Sequence, residues 1–169
     1  EQATEEVFFD IMLHLGTLIA VLIFFRKDVI EITKALFKAI LKWDFSSHLA
    51  KLGLYIIAGT VVTIILALPF NEVANHLVFH PALVGGLLIV TGGVLFLSEY
   101  LSKKKSTTKE VGLKQALLIG LAQGLAVLPG FSRSGWTIAT GLFTGLDRQT
   151  AARYSFLLSI PIILGASMV

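Results

Sequence analysis

The 169-residue sequence has no cysteine, few charged residues and no segment that resembles a cleavable signal peptide. The absence of cysteine excludes disulfides and metal sites built on thiolates. Only 15% of the residues are charged whereas 55% are hydrophobic, and several apolar runs approach the roughly 20 residues that a helix needs to cross a bilayer. The composition therefore predicts an integral membrane protein. Since the sequence begins at Glu1 rather than methionine and ends at Val169 inside an apolar run, we expect it to be part of a longer protein.

The apolar runs predict an all-α fold, a polytopic integral membrane helical bundle with residues 1–169 in a single, partial membrane domain. We expect full spans at about residues 8–25, 52–70 and 83–101, and the start of a further span at residues 151–169. Glycine pairs at 85–86 and 92–93 predict close helix packing along the third span.

A segment at residues 28–43 differs from the spans on either side. Lys34, Lys38 and Lys42 follow one another at i,i+4, beside an apolar face. This pattern indicates a helix along the membrane surface, with its lysines toward anionic head groups. The alternative is that the segment extends the neighbouring spans.

Basic residues are concentrated in two regions. Six lie between the first two spans and five between the third span and residue 114, whereas the loop at residues 71–82, which holds His76 and His80, has none. Positively charged loops stay in the cytoplasm, so this loop is predicted to face outside.

Residues 113–146 are too short for two crossings. Residues 113–128 would form a helix of about 24 Å and residues 136–146 one of about 16 Å, at about 1.5 Å per residue. Arg148 and Arg153 follow, so the positive-inside rule returns the chain to the side it left. We therefore predict a re-entrant helix-turn-helix that enters from the cytoplasm. A G-x-x-x-G pattern on each arm predicts that the two arms pack tightly (Gly120 and Gly124, Gly141 and Gly145).

The turn of this hairpin carries the strongest functional signal, Pro-Gly-Phe-Ser-Arg-Ser-Gly-Trp-Thr at residues 129–137. An arginine at membrane depth is costly unless it is paired or lines a wet cavity, and a guanidinium with neighbouring hydroxyls suits a phosphate. A helix that begins near Ser134 would aim free N–H groups at the same ligand. We predict a phosphate site formed by Arg133, Ser132, Ser134, Thr137, Gly130 and Gly135.

Structural alternatives exist for these residues. A hydroxyl such as that of Thr137 or Ser134 could bond only the carbonyl at i−4, and Arg133 could pair with a distant carboxylate. Gln123, about one turn before the break, and His14, inside the first span, could line the cavity or bond a neighbouring helix.

Residues 123–137, QGLAVLPGFSRSGWT, resemble the second signature of the undecaprenyl-diphosphate phosphatase family of the bacitracin-resistance type. The segments FFDIMLHLGTLIAVLIFFRKDV and GLFTGLDRQTAARYSFLLSIPIILGA resemble the same family in the right order, so the resemblance covers essentially all 169 residues. It implies an inverted-repeat fold with two re-entrant hairpins in the bacterial plasma (inner) membrane. It also implies hydrolysis of polyprenyl diphosphate to the monophosphate and inorganic phosphate, which recycles the lipid carrier of cell-wall synthesis.

The family's first signature, with two glutamates, a serine pair and a histidine, is missing from this sequence, as is the family's C-terminal part. The resemblance implies that this signature supplies the ligands of a divalent cation, Mg²⁺ or Ca²⁺, and the nucleophile or acid/base. Within one half of a composite site, Arg133 and Ser132 are then the candidate catalytic residues, Arg133 clamping the distal phosphate and stabilising charge during transfer. The expected partners are the polyprenyl diphosphate and the membrane; no nucleic acid is expected, and a homodimer stays open.

Two other classes remain. Broken helices whose ends face an anion also occur in transporters, so the protein could move a lipid phosphate or another anion without hydrolysis. The chain could also be a membrane module that is catalytically incomplete. Lipid phosphatases of the acid-phosphatase type are disfavoured because they need two placed histidines and no histidine follows Arg133.

Overall fold

The computed structural model describes residues 2–102 and 108–166, with side chains described for residues 12–102 and 108–165. These residues form seven α-helices and no strand, which confirms the all-α prediction. The helices are α1 (Gln2–Phe24), α2 (Arg26–Lys42), α3 (His48–Leu77), α4 (Pro81–Ser102), α5 (Leu113–Leu125), α6 (Arg133–Phe143) and α7 (Arg148–Ala166). Lysines 103–105 of the second basic region lie outside the described residues.

The chain forms two compact units. One comprises the described residues up to 53 and from 156 onward, and the other comprises the described residues between 54 and 155. The second unit contains most of α3, all of α4, α5 and α6, and the first part of α7. The single membrane domain therefore stays a prediction.

In the first unit, α1 and α2 are separated by Phe25 alone, whose ring stacks on that of Phe156 at 5.9 Å. Helix α2 confirms that the predicted segment is helical up to Lys42, and the C-cap residue Trp43 has a left-handed backbone (φ 51°). Its buried residues include Ile32, whose side chain would lie 3.2 Å from a methyl carbon added at Gly53. The three lysines at i,i+4 are exposed, and their placement against head groups stays a prediction.

Helix α3 is longer than the predicted second span. We expected this span to end near Pro69, but Pro69 lies inside the helix, which continues to Leu77. Proline removes one N–H group from the helical ladder, and a helix tolerates this where neighbouring groups satisfy the freed carbonyl. Consequently the loop predicted at residues 71–82 shrinks to residues 78–80, and His76 lies in the last turn of α3.

Among the described residues, two helices are long and apolar enough to cross a membrane, α3 and α4. A shorter apolar stretch, Met12–Phe24, lies in α1. The second and third predicted spans therefore coincide with apolar helices of sufficient length.

The two arms of the α5–α6 hairpin pack against each other, as predicted, but not through the four glycines of the G-x-x-x-G patterns. Three of these glycines contact other helices, and a methyl carbon added at Gly145 would have no neighbour within 4 Å among the described residues. A methyl carbon added at Gly120 would lie 2.6 Å from the carbonyl oxygen of Gly59 on α3, and one at Gly124 would lie 2.8 Å from Leu66 Cβ. On α6, one at Gly141 would lie 2.8 Å from Ala151 Cβ of α7. The G-x-x-x-G patterns correctly indicate close contacts between helices, but they do not identify the helix that is contacted.

The paired glycines of α4 also differ from the prediction. Added methyl carbons at Gly85, Gly86, Gly92 and Gly93 would have no neighbour within 4 Å in the described part of the chain. Close packing of α4 on the hairpin occurs instead through other residues of the helix, described below.

The two ends of the hairpin lie together. The N–H of Thr108 donates to the carbonyl of Gly145 at 2.7 Å, and the N–H of Asp147 donates to the carbonyl of Thr108 at 3.0 Å. The Asp147 carboxylate then accepts from the N–H of Thr150 at 2.7 Å and caps α7. Its pKa lies below the ordinary value because the side chain and the backbone N–H of Thr150 donate to the charged form.

Candidate functional site

The turn between α5 and α6 is shaped by Gly130, whose backbone has φ +92°. A methyl carbon added there would lie 2.6 Å from the carbonyl oxygen of Val84 and 2.9 Å from Leu87 Cβ, both on α4. Only glycine combines the positive φ with this close approach. Gly130 therefore holds the turn against α4 and directs the chain into α6.

Ser132 is the N-cap of α6. Its backbone is extended (φ −75°, ψ 111°) and its Oγ accepts from the N–H of Gly135 at 3.2 Å, while its carbonyl accepts from the N–H of Trp136 at 2.8 Å. The N–H groups of Arg133 and Ser134 have no acceptor among the described residues. Two free donors at the positive end of a helix dipole are an arrangement that favours an anion.

Arg133 is the first residue of α6 and is half-buried. Its guanidinium has no hydrogen-bond or ion-pair partner within residues 12–102 and 108–165. The alternative of a pairing with a carboxylate therefore gains no support from the described part of the chain. Ser134 is exposed beside it on the first turn. Both side chains are available to a ligand at the end of the helix.

Thr137 is placed differently from the other predicted ligands. It is fully buried, and its Oγ1 bonds the carbonyls of Arg133 and Ser134 at 2.9 and 3.1 Å and the hydroxyl of Ser155 on α7. The structure thus has the bond to the i−4 carbonyl that was the alternative for this residue. Thr137 lies one turn inside α6 and contacts backbone and α7.

Gly135 is buried, and the space beside it is filled. A methyl carbon added there would lie 3.0 Å from Ser132 Oγ and 3.4 Å from Leu95 Cδ1 of α4. Gly135 therefore gives room to the cap and to α4, and its place in the phosphate site stays a prediction.

The two candidates for the lining of a cavity lie in different units. Gln123, on α5, is 3% exposed, and neither its Nε2 nor its Oε1 has a partner in the described part of the protein. A buried amide without partners is costly, which makes Gln123 a stronger ligand candidate than its sequence position alone suggested. His14 is exposed on α1 in the first unit, and its role stays a prediction.

Two residues of the site region were missed from the sequence. Thr91 of α4 bonds both Gly130 and Trp136, and Ser155 of α7 bonds Thr137. Each is a hydroxyl residue inside an apolar helix. A hydroxyl residue in an apolar helix indicates a hydrogen bond, and this was the available signal in the sequence. It does not identify the group to which the hydroxyl is bonded.

Within the described residues, no group of three or more His, Asp or Glu side chains could hold a metal ion. The donors at the start of α6 are of the kind that suits a tetrahedral anion. Ser132, Arg133 and Ser134 present two free N–H groups, a guanidinium and two hydroxyls at one helix end, and such donors stabilise negative charge on phosphoryl oxygens.

The chain is similar to known proteins over its whole length. Residues 1–169 match the family described as bacitracin resistance protein BacA. A protein of Desulfosudis oleivorans named undecaprenyl-diphosphatase is 47% identical, with 96% of this chain and 62% of the relative covered. Proteins with the same name from Methanosphaera stadtmanae and Geobacter metallireducens are 42% and 45% identical, each over 95% of this chain and over 62% and 60% of the relative. The chain thus spans about six-tenths of the length of these curated relatives, and it belongs to the bacitracin resistance protein BacA family.

Proposed function

We propose that the complete protein carrying this sequence hydrolyses undecaprenyl diphosphate, or a similar polyprenyl diphosphate, to the monophosphate and inorganic phosphate. This reaction would recycle the lipid carrier of cell-wall synthesis. The observation that carries the proposal is the N-terminus of α6, where the guanidinium of Arg133 and two N–H groups have no partner among the described residues. Family membership and the printed name of the relatives support the same reaction.

In this reaction an oxygen from water replaces the bridging oxygen on the terminal phosphorus. The phosphorus–oxygen bond to the bridge breaks, and its electron pair stays on the departing monophosphate. Arg133 binds the oxygens of the terminal phosphoryl group and stabilises their charge as the bond breaks. Ser132 Oγ accepts from Gly135, so its hydroxyl proton remains to be donated to a phosphoryl oxygen. Ser134 donates from the exposed side of the same turn.

We also propose that the reaction requires a divalent cation, Mg²⁺ or Ca²⁺. The residues that the structure describes do not offer a fitting set of ligands, and no step assigned here to Arg133, Ser132 or Ser134 passes through the cation. The ligands would come from the part of the relatives that this chain does not span.

The proposed location is the bacterial inner membrane, in several passes, with the α5–α6 hairpin re-entrant. Two helices of sufficient length and apolarity support the passes. The backbone bonds of Thr108 to Gly145 and Asp147 support re-entry, because they join the two ends of the hairpin. A substrate with a long polyprenyl chain is itself confined to the membrane. A homodimer stays a prediction.

The experiment is phosphate release from undecaprenyl diphosphate by the purified complete protein in detergent, with Mg²⁺, with Ca²⁺ and with a chelator. Release that the chelator abolishes supports both proposals. Release that persists in the chelator would show that the reaction does not require a divalent cation. Binding of the diphosphate without any release of phosphate would overturn the phosphatase and favour a transporter of lipid phosphates.

A further inference from the structure

We propose that Thr91, on α4, is a positioning residue that holds the phosphate-binding end of α6 in place. The inference rests on the proposed function, since it concerns the same site. It assigns a role to a residue that does not itself bind the phosphate.

The Thr91 hydroxyl forms a bridge between two parts of the hairpin. Its Oγ1 donates to the carbonyl of Gly130 at 3.2 Å and accepts from the indole Nε1–H of Trp136 at 3.1 Å. A hydroxyl has one proton to donate and lone pairs to accept, so both bonds form at once. Thr91 is only 4% exposed, so water does not replace these bonds readily.

The two bridged residues flank the site. Gly130 lies three residues before Arg133, and Trp136 lies three residues after it. Thr91 therefore fixes the turn that enters the site and the first turn of the helix that leaves it. The Trp136 ring also packs on Phe131 inside the turn, at 4.8 Å between ring centres.

Three further residues of α4 approach the turn or the first turn of α6 through backbone or apolar side-chain atoms. Val84 and Leu87 meet Gly130, and Leu95 meets Gly135. With Thr91 these residues recur at intervals of three or four, so they share one face of α4. Apolar packing resists separation but permits sliding, whereas the directional bonds of Thr91 fix the register of the turn on α4. Catalysis depends on such register because a misplacement of about 1 Å can cost about a hundredfold in rate.

The test uses three variants of the complete protein. Thr91→Val keeps the shape but loses both bonds, and Thr91→Ser keeps both bonds. The matched control is Thr60→Val on α3, since among the described residues the Thr60 hydroxyl bonds only the carbonyl of Ile56 in its own helix. We expect kcat to fall about tenfold or more in Thr91→Val, and to stay within about twofold of the parent in Thr91→Ser and Thr60→Val. KM should change less than kcat, because positioning matters most where charge develops in the transition state.

A second measurement does not depend on turnover. The indole N–H resonance of Trp136, assigned by its loss in Trp136→Phe, should move in Thr91→Val and keep its position in Thr91→Ser and Thr60→Val. A resonance that does not move in Thr91→Val would show that the bond from the Trp136 indole N–H to Thr91 does not form. A moved resonance with an unchanged kcat would overturn the positioning role.

Should Thr91→Val not fold, Trp136→Phe removes the same bond from the other side and must then show the loss of kcat. If the parent releases no phosphate, the proposed function fails, whereas the resonance still decides whether Thr91 holds the turn.

Discussion

The hydroxyl of Thr137 on α6 is hydrogen-bonded to that of Ser155 on α7, and both residues are buried. Since Thr137 Oγ1 also bonds the carbonyl of Arg133, this contact joins the first turn of α6 to the neighbouring helix. Thr137, which was predicted as a phosphate ligand, thus has a structural role in linking α6 to α7.

Replacement of Thr137 distinguishes a structural role of this residue from a role in phosphate binding. Thr137→Val leaves the Ser155 hydroxyl without this partner and should lower the free energy of unfolding by about 1 kcal/mol, while turnover per folded molecule stays near that of the parent. Thr137→Ser, the control, should keep both properties. Thermal unfolding and phosphate release in detergent measure them. If folded Thr137→Val lost as much turnover as Arg133→Ala, a direct role of Thr137 in phosphate binding would be supported.

Arg133→Ala should lower turnover by at least about a hundredfold, the usual effect of removing one stabilising donor from a developing oxyanion. Expression and unfolding temperature should stay at the parent's level, because the guanidinium has no partner among the described residues. Arg133→Lys should recover only part of the rate, since an ammonium lacks the two-pronged donor geometry. Near-normal phosphate release by Arg133→Ala would remove Arg133 from the mechanism.

Gln123→Leu should raise the unfolding temperature and lower the turnover together. The buried amide has no partner in the described part of the chain, and an unsatisfied polar group of this kind costs about 1–3 kcal/mol. Turnover should fall because we expect the unsatisfied Gln123 amide to form hydrogen bonds with a bound ligand. Thermal unfolding with and without undecaprenyl diphosphate, alongside phosphate release, measures both effects. A lower unfolding temperature would mean that Gln123 already has a partner in the complete protein.

Gly120→Ala should destabilise the protein because the new methyl group would lie 2.6 Å from the carbonyl oxygen of Gly59. Overpacking of this kind costs about 1–3 kcal/mol. The control is Gly92→Ala on α4, where an added methyl carbon has no neighbour within 4 Å in the described residues. There the higher helix propensity of alanine should raise stability slightly. Equal unfolding temperatures for the two variants would contradict the close approach of α5 and α3.

The cap of α7 predicts a dependence on pH. The pKa of Asp147 is lowered from 3.8 in the folded chain by its bonds to Thr150, so its carboxylate adds stability above the unfolded value and loses it as the pH falls through the folded value. Asp147→Asn keeps a cap without a charge. The difference in unfolding free energy between parent and variant should therefore shrink below about pH 4. A difference that is constant from pH 3 to pH 7 would contradict the prediction.

Local signals made the hairpin predictable from the sequence. Proline and glycine mark the turn, and Ser132 is a residue type that caps helices. The helix was expected near Ser134 and begins at Arg133. The direction in which a side chain points around its helix, and the helix that it contacts, were not predictable from such local signals. The direction of the Thr137 side chain follows from the start of α6, and a G-x-x-x-G pattern records a close contact without identifying the other helix.

The extent of α3 shows a different limit. Pro69 and the polar residues after it are typical of a helix end, yet the helix continues to Leu77. Proline lowers the stability of a helix locally, and contacts elsewhere in the chain can outweigh this. The bridge of Thr91 was missed for a related reason, because a single threonine in an apolar helix forms no sequence pattern.

The backbone pairing at the base of the hairpin has a mechanical consequence. Thr108 is bonded to Gly145 on one side and to Asp147 on the other, so a pull on either flank must break these bonds before it can open the α5–α6 hairpin. Tension that arises in the segment before α5 is therefore borne first at the base. The turn that carries Arg133 is shielded from it.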